Sequence, residues 1–308
     1  MEKKYLIAGL AFIIDAPQEA FDLLWNYEPF EVPEAANHRD SGTGSAPLLY
    51  TLHVGTYPIP AEKKHVYTDC ADDDMPRIEM SRVAPMDATA KEDDWLLEEA
   101  ITRATPICMQ LRTRADFSEG WLTVKDKEFL KFGIDNSAML LFAFSGLWYD
   151  CLEMHASVPV KDGKGYLFLG KSGTGKSTHS LQWHEAFPDA YLLNDDNPIL
   201  RLINNTLMVY GSPWSGKTPC YKNLSAPVGG IVKIKQAPYN KARALKLPEA
   251  YAYMLSSASG LKIEPKMMDK LYEIIAKLIQ MVPMLELECL PNPDAARTCY
   301  EALTTHDL

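Results

Sequence analysis

Over the first 130 residues, apolar and polar positions alternate in short runs broken by turn-forming residues. The alternation predicts strands at 5–14, 48–55, 65–68, 108–113, 121–125 and 129–132. Residues 93–103 fit a short helix. Two polar loops intervene, 31–47 and 69–76, and the second carries Asp72, Asp73 and Asp74. Three adjacent carboxylates cannot all face one cation, so the triple reads as a solvated acidic turn.

From about residue 135 the period changes to alternating helices and strands. A helix is expected over 136–149, capped by Asp135 or Asn136, then strands at 152–158 and 165–169 and a helix at 177–187. Further strands fall at 190–193, 199–203, 207–210 and 230–235. Tight turns such as Ile203-Asn204-Asn205-Thr206 imply antiparallel pairs. Helices are expected over 248–257 and 264–281, a strand over 284–290, and a last helix opened by Asn292-Pro293. Met267, Leu271, Ile274, Ile275 and Leu278 form one apolar helical stripe. The fold class is therefore α/β: a mixed, partly antiparallel sheet with flanking helices, preceded by a β-rich N-terminal region. The expected boundary separates 1–134 from 135–308.

Composition changes this picture little. The chain has 308 residues, 47% hydrophobic and 23% charged, as in ordinary globular proteins. A net charge of −10 without a basic run argues against a nucleic-acid partner. Six scattered cysteines without a C-x-x-C pair fit reduced thiols and a cytoplasmic protein. The apolar run at 5–14 ends at Asp15 with no small-residue cleavage site, so a strand is expected there, not a signal core. No run reaches the roughly 20 residues of a membrane span, and no membrane partner is expected.

Chemistry enters at Gly170-Lys171-Ser172-Gly173-Thr174-Gly175-Lys176-Ser177, which fits G-x-x-x-x-G-K-[ST] between an expected strand and an expected helix. In such a loop backbone N–H groups turn toward phosphate oxygens, and the helix N-terminus points at the anion. Gly170, Ser172, Gly173, Thr174, Gly175, Lys176, Ser177 and Thr178 are the expected nucleotide contacts. Lys176 would reach the β- and γ-phosphates of ATP, and Ser177 would ligate Mg²⁺. His179 and His184, on the following helix, are expected to face solvent.

A phosphate loop alone performs no transfer. Tyr191-Leu192-Leu193-Asn194-Asp195-Asp196 is an apolar strand ending in two carboxylates, where a metal ligand and a proton acceptor are needed. His155 lies on the strand before the loop strand, within reach as metal ligand, charge stabiliser or proton carrier. The segment Gly211-Ser212-Pro213-Trp214-Ser215-Gly216-Lys217-Thr218 concentrates Gly, Pro, Trp and Lys in one loop. It offers Trp214 and Lys217 as substrate contacts, against the alternative of a loop pinned by Trp214. Gln236 and Arg243 are further candidates for closing the pocket.

Taken together, Met154-His155-Ala156-Ser157, the loop through Thr178 and Leu193-Asn194-Asp195-Asp196 resemble the ordered signatures of the phosphoenolpyruvate carboxykinase superfamily. The nearest match in size is the HPr kinase/phosphorylase-like group of serine kinases. The resemblance covers residues of roughly 150–240. It implies a nucleotide-binding domain over 135–308, with ATP, Mg²⁺ and phosphoryl transfer. Lys176 and Ser177 would bind phosphate and metal, Asp195 and Asp196 would supply a metal ligand and a base, and His155 would assist. Thr178 stands where HPr kinases carry an acidic residue, and no counterpart of their Arg/Gly-rich substrate loop is present.

The leading expectation is an ATP-dependent kinase with catalytic residues Asp196, His155 and Lys176 and metal ligands Ser177 and Asp195. Its acceptor, whether a protein serine, a peptide or a small molecule, stays open, as does a homo-oligomer. The alternatives are a nucleotide-gated binding protein without catalysis and a carboxykinase-like lyase.

Overall fold

A computed structural model describes residues 1–33, 46–69, 76–216 and 218–305. The acidic triple Asp72–Asp74 and Lys217 lie outside the described residues, as does the polar stretch 37–45. The protein is mixed α/β and divides into two compact units, Met1–Gly146 and Leu147–Leu308. The division falls twelve residues beyond the expected boundary at 134/135, because the intervening helix packs on the first sheet (146 − 134 = 12).

The first unit opens with β1 (Glu2–Ile7) and β2 (Leu10–Asp15), followed by α1 (Gln18–Phe21) and β3 (Leu48–Val54). The single strand expected over 5–14 is a hairpin. Ala8 and Gly9 take φ of 52° and 74°, the pair of left-handed residues that a two-residue turn needs. β4 (Lys64–Asp69), β5 (Arg77–Val83), β6 (Asp94–Ala100), β7 (Met109–Thr113) and β8 (Glu119–Val124) complete a sheet ordered β1-β2-β3-β8-β7-β6-β5-β4. α2 (Leu130–Gly146) lies across β3 and β8. Tyr50 donates to the Ala138 carbonyl at 2.8 Å. Gly120 leaves room for Leu141, whose Cδ1 would sit 2.8 Å from an added Cβ.

Two further expectations fail in this unit. Within the span 93–103, expected as a helix, Asp94–Ala100 form the buried strand β6. Its acidic pair Glu98-Glu99 mimics a polar helical face, yet Glu98 is held by Lys63 and Gln110 inside the structure. Of residues 129–132, read as a strand, Phe129 ends a 3-10 turn and the rest open α2.

The second unit contains β9 (Cys151–Glu153), β10 (Ala156–Lys161), β11 (Lys164–Leu169), α3 (Lys176–Ala186), β12 (Tyr191–Asp196), β13 (Ile199–Ile203) and β14 (Thr206–Tyr210). It continues through β15 (Ser225–Gln236), β16 (Lys241–Ala244), α4 (Leu247–Ser257), α5 (Pro265–Leu278), β17 (Met284–Cys289) and α6 (Pro293–Thr304). The sheet runs β12-β10-β11-β15-β14-β13-β9, with β17 and β16 added beyond β15. Among the described residues of this unit, only β11–β15 and β15–β17 pair in parallel. Antiparallel pairs make up the remainder, as the tight turns predicted.

Local signals account for the helices of this unit. Asn292 accepts from the Ala295 N–H at 3.0 Å, and Pro293 opens α6 without losing a needed donor. The whole apolar stripe of α5 is buried. Phe168, Trp183, Val232, Ile234, Leu285 and Leu287 form a core between the sheet and α3 and α6. The strand expected over 152–158 is interrupted at Met154 and His155, which turns the imidazole out of the ladder. No helix among the described residues is long and apolar enough to cross a membrane.

Candidate functional site

The loop Gly170–Gly175 leaves β11 and enters α3 at Lys176. Gly173 and Gly175 adopt φ of 78° and 98°, a conformation that costs other residues about 1 kcal/mol. At Gly170 a Cβ would meet the Thr174 hydroxyl at 2.3 Å. Thr174 closes the turn by donating its hydroxyl to the Lys171 carbonyl at 2.8 Å. The three glycines therefore match three separate steric demands.

Lys176 is buried and donates to the Gly170 carbonyl at 3.0 Å, spanning the mouth of the loop. Burial is the main influence lowering its pKa, and the charges of Asp196 and Asp195 oppose it. Both carboxylates therefore act electrostatically on the loop lysine. Ser177 follows on the exposed side of α3 and shares a cavity of about 280 Å³ with Asp195, Thr218 and Lys222. Two hard oxygen donors at one opening suit Mg²⁺, which takes few protein ligands and completes its shell with phosphate and water. No group of three or more His, Cys, Asp or Glu among the described residues is arranged to hold a metal alone.

Asp195 is buried, and its backbone carbonyl accepts from the Gly216 N–H at 2.6 Å and the Ser215 hydroxyl at 3.0 Å. Asp196 has φ of 143°, a region that side chains other than glycine's rarely enter. Its Oδ1 lies 3.7 Å from His155 Nε2, and its Oδ2 accepts from Asn197 at 3.3 Å. Burial and then Lys176 lower the His155 pKa, while Asp196 and Asp195 oppose them. The His155 main chain is anchored to the end of α4 by an N–H bond to the Ser257 carbonyl at 2.7 Å.

The 211–218 loop buttresses this pair from behind. Asn194 donates to the Ser212 hydroxyl and the Trp214 carbonyl, each at 3.1 Å, and Asp196 forms an isolated antiparallel bridge with Ser215. Trp214 is 4% exposed, which places its ring in the packing of the loop. On the other side of the 170–175 loop, Thr178, His179, Ile234, Gln236 and Leu290 border a cavity of about 640 Å³. Gln236 reaches the Gly173 carbonyl at 3.4 Å. Arg243 does not close this pocket, since its guanidinium is bound to Glu249 and Glu286.

His179 departs from its expected solvent exposure. Its ring is buried, accepts from Trp183 Nε1 at 3.1 Å, and is lowered by burial to a pKa of about 4. His184 is exposed, as expected. Cys108, Cys151, Cys220, Cys289 and Cys299 are free and buried.

Two residues of this neighbourhood were invisible to motif reasoning. Glu153, at the end of β9, is 2% exposed, and neither carboxylate oxygen has a hydrogen-bond partner among the described residues. Burial first, and then the Asp196 charge, raise it to about 8, opposed by the nearby Ser259 side chain. The signal for it was a lone acid inside the apolar run Cys151-Leu152-Glu153-Met154. Lys233 is the other, a charge between Val232 and Ile234 on β15.

Comparison with known proteins finds matches among solved structures. No family model matches the chain. No curated protein matches it either. Among solved structures, the HPr(Ser) kinase/phosphatase from Coxiella burnetii is similar at 15% identity, covering 49% of this chain and 87% of that one with a TM-score of 0.29. A superposition this loose leaves the functional reading to the residues themselves.

Proposed function

We propose that the second unit is an ATP-dependent phosphotransferase that moves the γ-phosphate to an acceptor hydroxyl. The observation that carries the reading is the convergence of Lys176, Asp195, Asp196 and His155 at one loop. A phosphate-loop lysine, two strand-end carboxylates and an imidazole within 3.7 Å of one of them are the parts phosphoryl transfer needs.

In this reading the loop N–H groups and Lys176 hold the phosphates, and the cavity beside Thr178 and Gln236 takes the rest of the nucleotide. Ser177 and Asp195 are the residues that would hold Mg²⁺, which when bound neutralises phosphate charge. Asp196 accepts the proton of the acceptor hydroxyl, and His155 orients and charge-balances that carboxylate. The acceptor oxygen forms a bond to the γ-phosphorus as the bond to the β–γ bridging oxygen breaks. ADP leaves with that electron pair. Positioning and charge supply most of the rate.

The test is phosphorus NMR of Mg·ATP with the purified protein and a small-molecule extract of its cells. A new phosphomonoester signal that disappears in Lys176→Ala supports the kinase. ATP binding without any phosphomonoester, also with cell protein added, supports nucleotide binding without catalysis. Thr178, in place of an acidic residue, is the observation favouring that second reading.

A further inference from the structure

Beside the outer turn of the loop lies a cationic pocket that shares Thr174, Ile234 and Gln236 with the cavity given to the nucleotide. Side chains alternate along β15, so Val232 and Ile234 enter the core while Lys233 and Lys235 point to the other side. There Lys171, Lys233, Tyr253 and Glu286 border a cavity of about 490 Å³, together with the phosphate-loop residues 172–174.

Its charges are not balanced. Lys235 is committed to Glu288, donating at 2.6 Å. Glu286 is committed as well: Arg243 Nε donates to Oε1 at 3.0 Å, and the Tyr253 hydroxyl donates to Oε2 at 3.3 Å. Lys233 is half-buried and makes no ion pair within contact distance among the described residues. Its ammonium sits over the Tyr253 ring, 5.2 Å from the centroid. Burial is the main influence lowering its pKa; Glu286 opposes that fall and Lys171 adds to it. An ammonium withdrawn from water without a carboxylate of its own gains strongly from an incoming anion.

We propose that Lys233, with Lys171 beside it, holds an anionic group of the acceptor, so that the acceptor is a hydroxyl compound bearing a carboxylate or phosphate. The proposal deepens the kinase reading and rests on it. The Lys233 charge is felt at Lys176, and residues 171–174 are both the wall of this cavity and the outer turn of the loop. An anion held there brings the rest of its molecule to the loop mouth.

The experiment measures binding of inorganic phosphate and of malonate to the full chain, by calorimetry, after a non-hydrolysable ATP analogue with Mg²⁺ has filled the phosphate loop. At least one probe is expected to bind at an additional site. Lys233→Met should weaken it roughly ten- to hundredfold, as loss of a charge-assisted contact does, while Lys233→Arg retains it. Should Lys233→Met fail to fold, Lys233→Gln removes the charge with a shorter polar side chain. Binding that is unchanged in these neutral variants, or that disappears once the loop is filled, overturns the proposal. Failure of the kinase reading has another signature: no binding of the ATP analogue, with Lys233-dependent probe binding intact. Phosphate preferred over malonate identifies a phosphorylated acceptor, and the reverse a carboxylated one.

Discussion

The backbone N–H of Gly216 donates to the carbonyl of Asp195 at 2.6 Å, so the 211–218 loop holds the carboxylate pair through its main chain. A Cβ on Gly216 would stand 3.2 Å from Asp196 Cβ and 3.3 Å from the Asp195 carbonyl oxygen. Gly216→Ala should therefore displace Asp196 by a few tenths of an ångström while leaving the 170–175 loop untouched. Turnover is expected to fall about tenfold or more with nucleotide affinity little changed. Steady-state kinetics beside a binding isotherm separates the two, and equal losses in both would contradict the placement.

Asp196 occupies its glycine-like backbone region at a cost. Asp196→Gly is expected to raise unfolding stability by roughly 1 kcal/mol in urea titration while abolishing transfer. A less stable variant would show that the side chain contributes more to the fold than the backbone strain removes.

The Glu153 carboxyl is raised from 4.5 to about 8, chiefly by burial. The folded state therefore keeps a proton that the unfolded chain releases, and stability falls as pH rises from about 4.5 to about 8, at up to about 1.4 kcal/mol per unit. Glu153→Gln should flatten this limb and be the more stable protein at pH 8. His179 acts with the opposite sign: its pKa of about 4 means that stability is lost as pH falls below 6.5. Chemical denaturation at pH 5, 6.5 and 8 reads both effects, and parallel curves for wild type and Glu153→Gln would contradict the first.

The strand and helix that flank 170–175 were legible because their signals are local: an apolar run, a glycine-rich turn and a helical start follow one another, and both elements formed where the pattern put them. The place of Asp195 and Asp196 at the end of an apolar strand was legible for the same reason. Glu153 and Lys233 were not, because a single charge in a strand takes its meaning from what lies across the sheet. Lys233 in Val232-Lys233-Ile234-Lys235 looks like half of a solvated face, and only α4 and β17 turn that face inward. β6 shows the converse. Its Glu98-Glu99 pair imitates an amphipathic helix, but inside the strand Glu98 is held by Lys63 and Gln110, both distant in sequence, while the buried Glu99 carboxyl is pushed up to about 8 by burial.

β15 has one more consequence. Residues 225–227 hydrogen-bond to β14, residues 228–233 to β11 and residues 231–236 to β17, so one twelve-residue segment is common to every ladder that meets at the centre of the sheet. Neither wing of the sheet can melt without loosening the register of the other. The second unit should thus exchange its central amide hydrogens with solvent only through opening of the whole block, at a rate tied to global unfolding, while the outer strand β12 exchanges by local fraying.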